Sequence, residues 1–216
     1  MIKRMTLLSR KEGTSTSDFR AYWSGCHAQL ALCMKGITNY AQNRVDKTLW
    51  SKSDDAGCFN VDGVVELCFE SDDLMSVAQA SPVGSRYIPE DEPNFLRGWS
   101  LCVVEHDLEQ EPSGVKVIVA AALAGDQPRA SFENAITSAN RDSKSDAIVS
   151  FNWTVRTSKR ERLWSEPVPP TVLVSLWFED VARAHTAFEP TGAFPRTLSE
   201  TTTRAAAYLI NRLVIK

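Results

Sequence analysis

Apolar residues along the chain recur with two periods, and the order of those periods repeats. "IKRMTLLSR" alternates weakly, as a strand does when its side chains point to opposite faces. The turn "KEGTSTSD" follows, and a helix is predicted from Ser17 to about Lys35, with Ser17 or Asp18 as N-cap and Gly36 as stop. "ITNYAQNRV" reads as a strand, "DKTLWSKSDDAGCFN" as a polar loop, and "GVVELCFE" as a strong strand. "SDDLMSVAQA" is a short capped helix, "EDEPNFLR" opens another helical turn, and "WSLCVVEHDL" is a closing strand. The order is β-α-β-β-α-β.

After the linker "EQEPSG" the pattern restarts. "VKVIVAAALA" is a strand, "PRASFENAITSANRD" a helix, "AIVSFNWTVRT" a strand and "SKRERLWSEPVPP" a charged loop. "TVLVSLWFE", "DVARAHTAFE" and "AAYLINRLVIK" then read as strand, helix and strand. In one window the copies match residue by residue: "VVELCFESDDLMSVAQASPVG" lies over "LVSLWFEDVARAHTAFEPTG" with a one-residue gap. Each unit is expected to form a four-stranded antiparallel sheet with both helices on one face, the ferredoxin-like arrangement. Two such units bury their open faces by packing sheet to sheet. The expectation is an α+β fold, a pseudo-dimer fused in one chain, with units at residues 1–110 and 111–216.

Composition narrows the function classes. With 216 residues, 43% hydrophobic and 24% charged, the chain can bury a sizeable core. A formal charge of −3 and the lack of a basic stripe interleaved with aromatics argue against nucleic acid and an anionic membrane as partners. No stretch approaches the length of a spanning helix, and "MIKRMTLLSRKEG" has too short an apolar run for a signal peptide. Five cysteines (Cys26, Cys33, Cys58, Cys68 and Cys102) are scattered and never in CxxC spacing. That argues against a zinc site and a disulfide framework, and points to reduced thiols in the cytoplasm. GxSxG and Gly-rich phosphate loops are lacking, and Cys26 points to a different side of its helix from His27.

Laying one copy over the other singles out polar residues that only the first possesses. In "YAQNRV" against "FNWTVR", Tyr40 lies over Phe151, Gln42 over Trp153 and Arg44 over Val155, all on one strand face. Glu66 lies over Ser175. A charged, unpaired glutamate inside "GVVELCF" costs several kcal/mol, so Glu66 is paired (Arg44 is one structural partner), protonated or exposed. In the first helix, Phe19, Trp23, Cys26, Leu30, Cys33 and Met34 form the predicted buried stripe; His27 borders it and Tyr22 lies nearby on the rim. A histidine there reads either as a satisfied core residue or as a proton-transfer group. The second copy, "ASFENAITSAN", has neither the Tyr-Trp pair nor the histidine, which favours the second reading. In "EDEPNFLR", Asp91 or Glu92 before Pro93 fits a capped helix start, whereas "TGAFPRTLSETTT" has no acidic pair before Pro195.

"FRAYWSGCHAQL", "GITNYAQNRV", "DGVVELCFES" and "EDEPNFL" together resemble the EthD domain, in the same order and at similar spacings over residues 1–108. Residues 114–216 resemble a degenerate second copy. The resemblance implies a dimeric α/β barrel, normally built from two chains, and relatives that act on small, often aromatic or polyketide-like molecules, many of them without metal or organic cofactor. It places the family's histidine on His27 and its acidic pair on Asp91 and Glu92.

The leading expectation is a cofactor-independent isomerase or lyase acting on an aromatic-derived lactone, enol or ketone. His27 serves as general acid/base, since its ordinary pKa near ~6.5 suits proton transfer at neutral pH. Glu66 or Asp91 partners it. Tyr22, Tyr40, Gln42, Arg44 and Glu92 supply polar contacts, and Trp23 and Phe95 wall an apolar pocket. Two alternatives are a cofactor-free monooxygenase of a phenol and a non-catalytic carrier of a hydrophobic metabolite. Haem also occurs among barrels of this architecture, with His185 as the residue to suspect, and His106 reads as structural or exposed. Whether the fused chain pairs again is left open.

Overall fold

Four strands are buried almost end to end on both faces: β1 (Ile2–Arg10), β3 (Gly63–Phe69), β5 (Val115–Leu123) and β7 (Val172–Phe178). A strand of this kind needs a packed layer on each side, which explains why "IKRMTLLSR" alternates only weakly. The computed structural model describes residues 1–52, 59–108 and 110–216. With β2 (Ile37–Ser51), β4 (Leu96–His106), β6 (Ile148–Lys159) and β8 (Thr202–Val214), the strands form a closed antiparallel barrel in the order β1-β3-β2-β8-β5-β7-β6-β4. Each half keeps the ferredoxin-like order, β4-β1-β3-β2 and β8-β5-β7-β6, so the predicted α+β fold of two fused repeats is the one observed.

The halves join along their edges as well as their faces. β2 pairs with β8 from Ala41↔Val214 to Ser51↔Ala206, and β4 pairs with β6 from Ser100↔Lys159 to His106↔Asn152. Edge strands carry unpaired N–H and C=O groups, and here each half completes the other's edges. This corrects the loops expected at "DKTLWSKSDDAGCFN" and "SKRERLWSEPVPP": β2 continues to Ser51 and β6 to Lys159. The reason is tertiary, because those segments acquire strand partners only once the other half is present. The part of the first loop at residues 53–58, which includes Cys58, lies outside the described residues.

Register also corrects the internal comparison. Asn43 donates to the Val64 carbonyl at 3.0 Å and Asn152 to the Leu173 carbonyl at 2.9 Å, so these asparagines are counterparts. Tyr40 pairs opposite Leu67 as Val149 does opposite Leu176. Hence Tyr40 matches Val149, Gln42 matches Phe151 and Arg44 matches Trp153. A slip of two residues preserves the strand face, so periodicity alone cannot detect it.

Helices cover the barrel's outside: α1 (Thr16–Tyr22), α2 (Ala28–Leu32), α3 (Asp72–Ala80) and α4 (Ile88–Asp91) over the first half. Over the second lie α5 (Arg129–Asp142), α6 (Val181–Ala187) and α7 (Ala193–Thr201), the last in a segment not anticipated as helix. The core has three parts: the barrel interior with Met5, Ile118 and Leu173, and one layer beneath the helices of each half. Among the described residues no helix is long and apolar enough to cross a membrane.

Candidate functional site

The first helix of the first half is not regular. Between α1 and α2, residues Trp23–His27 form a π-helical turn, which inserts one residue relative to the α period. Buried positions run Phe19, Trp23, Ala28, Ala31 and Met34, with a spacing of five across the wide turn. This corrects the predicted stripe: Ala28 and Ala31 turn inward while Cys26 and Cys33 are exposed. In the second half, α5 is an unbroken α-helix with Phe132, Ile136 and Ala139 buried at ordinary spacing. The turn aligns residues five apart, which an α-helix does not. Tyr22 and His27 therefore reach the same carboxylate.

That carboxylate is Asp91. It accepts from the Tyr22 hydroxyl at 2.6 Å through Oδ1, and its Oδ2 lies 2.8 Å from His27 Nδ1. The His27 side chain is 11% exposed and that of Asp91 16%. The hydrogen bond from His27 holds the Asp91 carboxyl below its ordinary range, against the opposing effect of burial, and the bond from Tyr22 adds to it. Burial and the bond to Asp91 push the Tyr22 phenol up. Asp91 is therefore ionised at neutral pH and can only accept, so Nδ1 of His27 carries a proton, and in the neutral ring the lone pair is on Nε2. Phe95 floors the cluster, with ring centroids 4.8 Å from His27 and 5.1 Å from Tyr22.

The acids of "EDEPNFLR" do not cap a helix start, which corrects the structural reading of that motif. Asp91 ends α4, a 3₁₀ turn follows at Glu92–Asn94, and neither has a side-chain cap. Glu92 is buried and accepts from Arg160 Nε at 2.9 Å; burial raises its carboxyl despite that cation.

His27 opens onto a cavity also lined by Arg4, Trp23, Tyr40, Glu92 and Trp99. Its volume is about 30 Å³, room for one or two waters. A vestibule of about 340 Å³ adjoins it and shares Arg4, Met34, Ile88 and Trp99. Gln42 Nε2 donates to the Trp23 carbonyl and to the Tyr40 hydroxyl, both at 2.9 Å, tying the wide turn to β2. Burial pushes the Tyr40 phenol up to about 12.

Two predicted residues are not brought to His27. Glu66 points into the barrel, the opposite side of the sheet, where it accepts from Lys116 at 2.8 Å and pairs with Lys3 at 3.4 Å. It therefore partners neither His27 nor Arg44. Arg44 does share its strand face with Tyr40 and Gln42, but lies farther along β2 and donates to Asn211 at 3.2 Å. His185, half-buried on α6, lines neither the cavity nor the vestibule, so the structure does not bring it to the His27 site. His106, half-buried at the end of β4, bonds the Leu108 carbonyl at 2.9 Å and lines neither the cavity nor the vestibule.

Arg4, Trp99 and Arg160 were missed. Arg4 pairs opposite Leu67 as Val117 does opposite Leu176, so its counterpart is an apolar valine. Comparing the first strands of the two copies reveals it. Arg160 comes from the second half and had no such signal.

Residues 11–98 match the EthD domain. The EthD segment holds Tyr22, His27, Asp91, Glu92 and Phe95, whereas Arg4, Trp99 and Arg160 lie outside it. No curated protein matches the sequence. An anthrone oxidase-like protein shares the fold with a TM-score of 0.62 at 8% identity, over 99% of this chain and 92% of that one. A proposed monooxygenase from Lactobacillus acidophilus NCFM aligns with TM-score 0.53 at 10% identity, over 99% and 94% of the two chains. A proposed chlorite dismutase gives 0.54 at 10% identity, over 98% and 96%. At such identities the likeness concerns the fold, a dimeric α/β barrel over the whole chain.

Two consequences are testable at the site. Gly63 lies against the Trp23 ring, where a Cβ would fall 2.5 Å from Cζ3. Gly63→Ala is expected to cost about 1–3 kcal/mol by overpacking and to displace the indole; urea unfolding and near-ultraviolet circular dichroism would show both. Because Asp91 titrates lower folded than unfolded, its contribution to stability is full above the ordinary carboxylate pKa of ~4 and fades as pH falls through the depressed value. Asp91→Asn is expected to flatten stability against pH in that acid window, and an unchanged acid profile would contradict the pairing.

Proposed function

We propose that the chain is an acid–base enzyme in which His27 abstracts and returns a proton on a small aromatic-derived enol, ketone or lactone, as an isomerase or lyase. The observation that carries this reading is the Tyr22–Asp91–His27 hydrogen-bonded cluster at the edge of a largely apolar cavity. Ionised Asp91 fixes the tautomer, so Nε2 is the basic atom. It takes a proton from a carbon next to the carbonyl, leaving an enolate and an imidazolium held by Asp91. The imidazolium then returns the proton to another carbon, or to a departing oxygen, and the cycle closes on side chains alone.

The test is solvent deuterium incorporation into a panel of enolisable aromatic ketones and lactones, followed by NMR. The wild-type chain is expected to exchange at least one of them, and His27→Gln none. Equal exchange by both would remove His27 from the reaction.

A second reading, oxygenation of a phenol deprotonated by the same base, is favoured by the aromatic lining of Trp23, Tyr40 and Trp99. Solved structures of the same fold described as a proposed monooxygenase and an anthrone oxidase-like protein are consistent with it. Oxygen uptake with hydroxyanthrones and naphthols separates the two.

A further inference from the structure

Arg4 is the most conspicuous side chain that the proton-transfer reading leaves unused. It is 7% exposed, and among the described residues its guanidinium makes no hydrogen bond or ion pair. Burial and the neighbouring Arg160 charge lower it, Glu92 opposes them, and at about 10 it remains a cation at neutral pH. Its counterpart in the second copy is Val117, so the barrel does not need a cation at this strand position.

Arg4 lines both the small cavity at His27 and the vestibule outside it. The vestibule lining contains Arg4, Lys159 and Arg160 and no carboxylate. Met34, Ile88, Trp99 and Leu101 form its apolar walls. Glu92 neutralises Arg160, whose guanidinium also lies over the Trp99 ring at 4.7 Å, so the charge left over is that of Arg4 with Lys159 at the rim. Gln79, Ser85 and Ser158 line the rest of the slot, and a desolvated guanidinium beside an apolar wall is an arrangement that recognises a carboxylate on a hydrophobic body.

We propose that Arg4 is a substrate-binding residue and that the ligand is an aromatic or alicyclic carboxylate, its acid group on Arg4 and its ring against Trp99. This rests on the reading of His27 as the base and deepens it by giving the substrate a charge. Both halves then build one site, with Lys159 at the end of β6 and Arg160 just after it, both beyond the EthD segment.

The experiment is calorimetric titration of the purified chain with benzoate, salicylate and 1-naphthoate, each against its neutral amide. At least one carboxylate is expected to bind about 10- to 100-fold more tightly than its amide, the span of one charge-assisted hydrogen-bonded contact. Arg4→Met is expected to abolish that preference while melting no lower than wild type, and Arg4→Lys to keep part of it. His27→Gln is expected to keep the full preference while losing proton exchange, so failure of the catalytic reading and failure of this one give different results. Amides binding as well as carboxylates, no saturable binding by any of the panel, or an Arg4→Met chain that no longer folds would each overturn the proposal.

Discussion

Replacing His27 by glutamine is expected to lower the proton-exchange rate by about 10²–10⁴-fold, the usual contribution of a positioned general base. Glutamine preserves much of the volume over Phe95 and can still donate to Asp91, but it has no basic lone pair. The substitution therefore removes the chemistry and spares the packing. Asp91→Asn is expected to fall in the same range for a different reason. An asparagine amide donates to Nδ1, which places the imidazole proton on Nε2 and removes the base without removing the ring. Tyr22→Phe removes one donor to a carboxylate that keeps His27, so its loss is smaller. Initial exchange rates, taken with circular dichroism to show an intact fold, give the ranking His27→Gln and Asp91→Asn well below Tyr22→Phe. The reverse ranking would show that the phenol, not the imidazole, moves the proton.

Glu66→Leu is expected to cost about 3–5 kcal/mol of stability, as breaking one side of a buried ion pair does. Inside the barrel Glu66 is 4% exposed and Lys116 2%, and Lys116 also reaches Glu111, which pairs with Arg212. Burial alone would raise the Glu66 carboxyl, but Lys116 and Lys3 together hold it well below the ordinary carboxylate range. Removing Glu66 leaves Lys116 with Glu111 alone and Lys3 without a partner at this site. The double substitution Glu66→Leu with Lys116→Met removes both buried charges, and is expected to cost clearly less than the sum of the two singles. Urea unfolding of the four chains measures the coupling. A single replacement that leaves the midpoint unmoved would show the network to be solvated. Glu66 also adds a pH dependence of the same sign as Asp91: its stabilisation is complete above the ordinary carboxylate pKa and declines as pH falls through the lower folded value.

Much of this was legible in the residues, and the failures share a cause. The β-α-β-β-α-β order, its repetition and the ferredoxin-like halves follow from periodicity, because each strand and helix must hide one consistent face. His27 and Tyr22 stood out because the second copy lacks them. The buried stripe failed at Trp23–His27 because a π turn adds one residue, and a 3.6-residue period has no means of announcing it. Glu66 was expected to be paired, protonated or exposed and is paired, with Lys116 and Lys3 and not with Arg44, because which side of a doubly buried strand faces the helices is hidden when both sides are apolar. The same ambiguity concealed Arg4 within "IKRMTLLSR".

Local sequence carries the elements, the repeat and the histidine that only the first half has, since these depend on spacing within one segment. Tertiary structure decides the rest: the edges on which β2 and β6 lengthen, the assignment of His27 to Asp91 rather than Glu66, and the entry of Arg160 into a site otherwise built by the first half. Those are meetings between segments far apart in the chain. Only closure of the barrel, which pairs every strand edge and sorts each strand's two faces to inside and outside, brings them about.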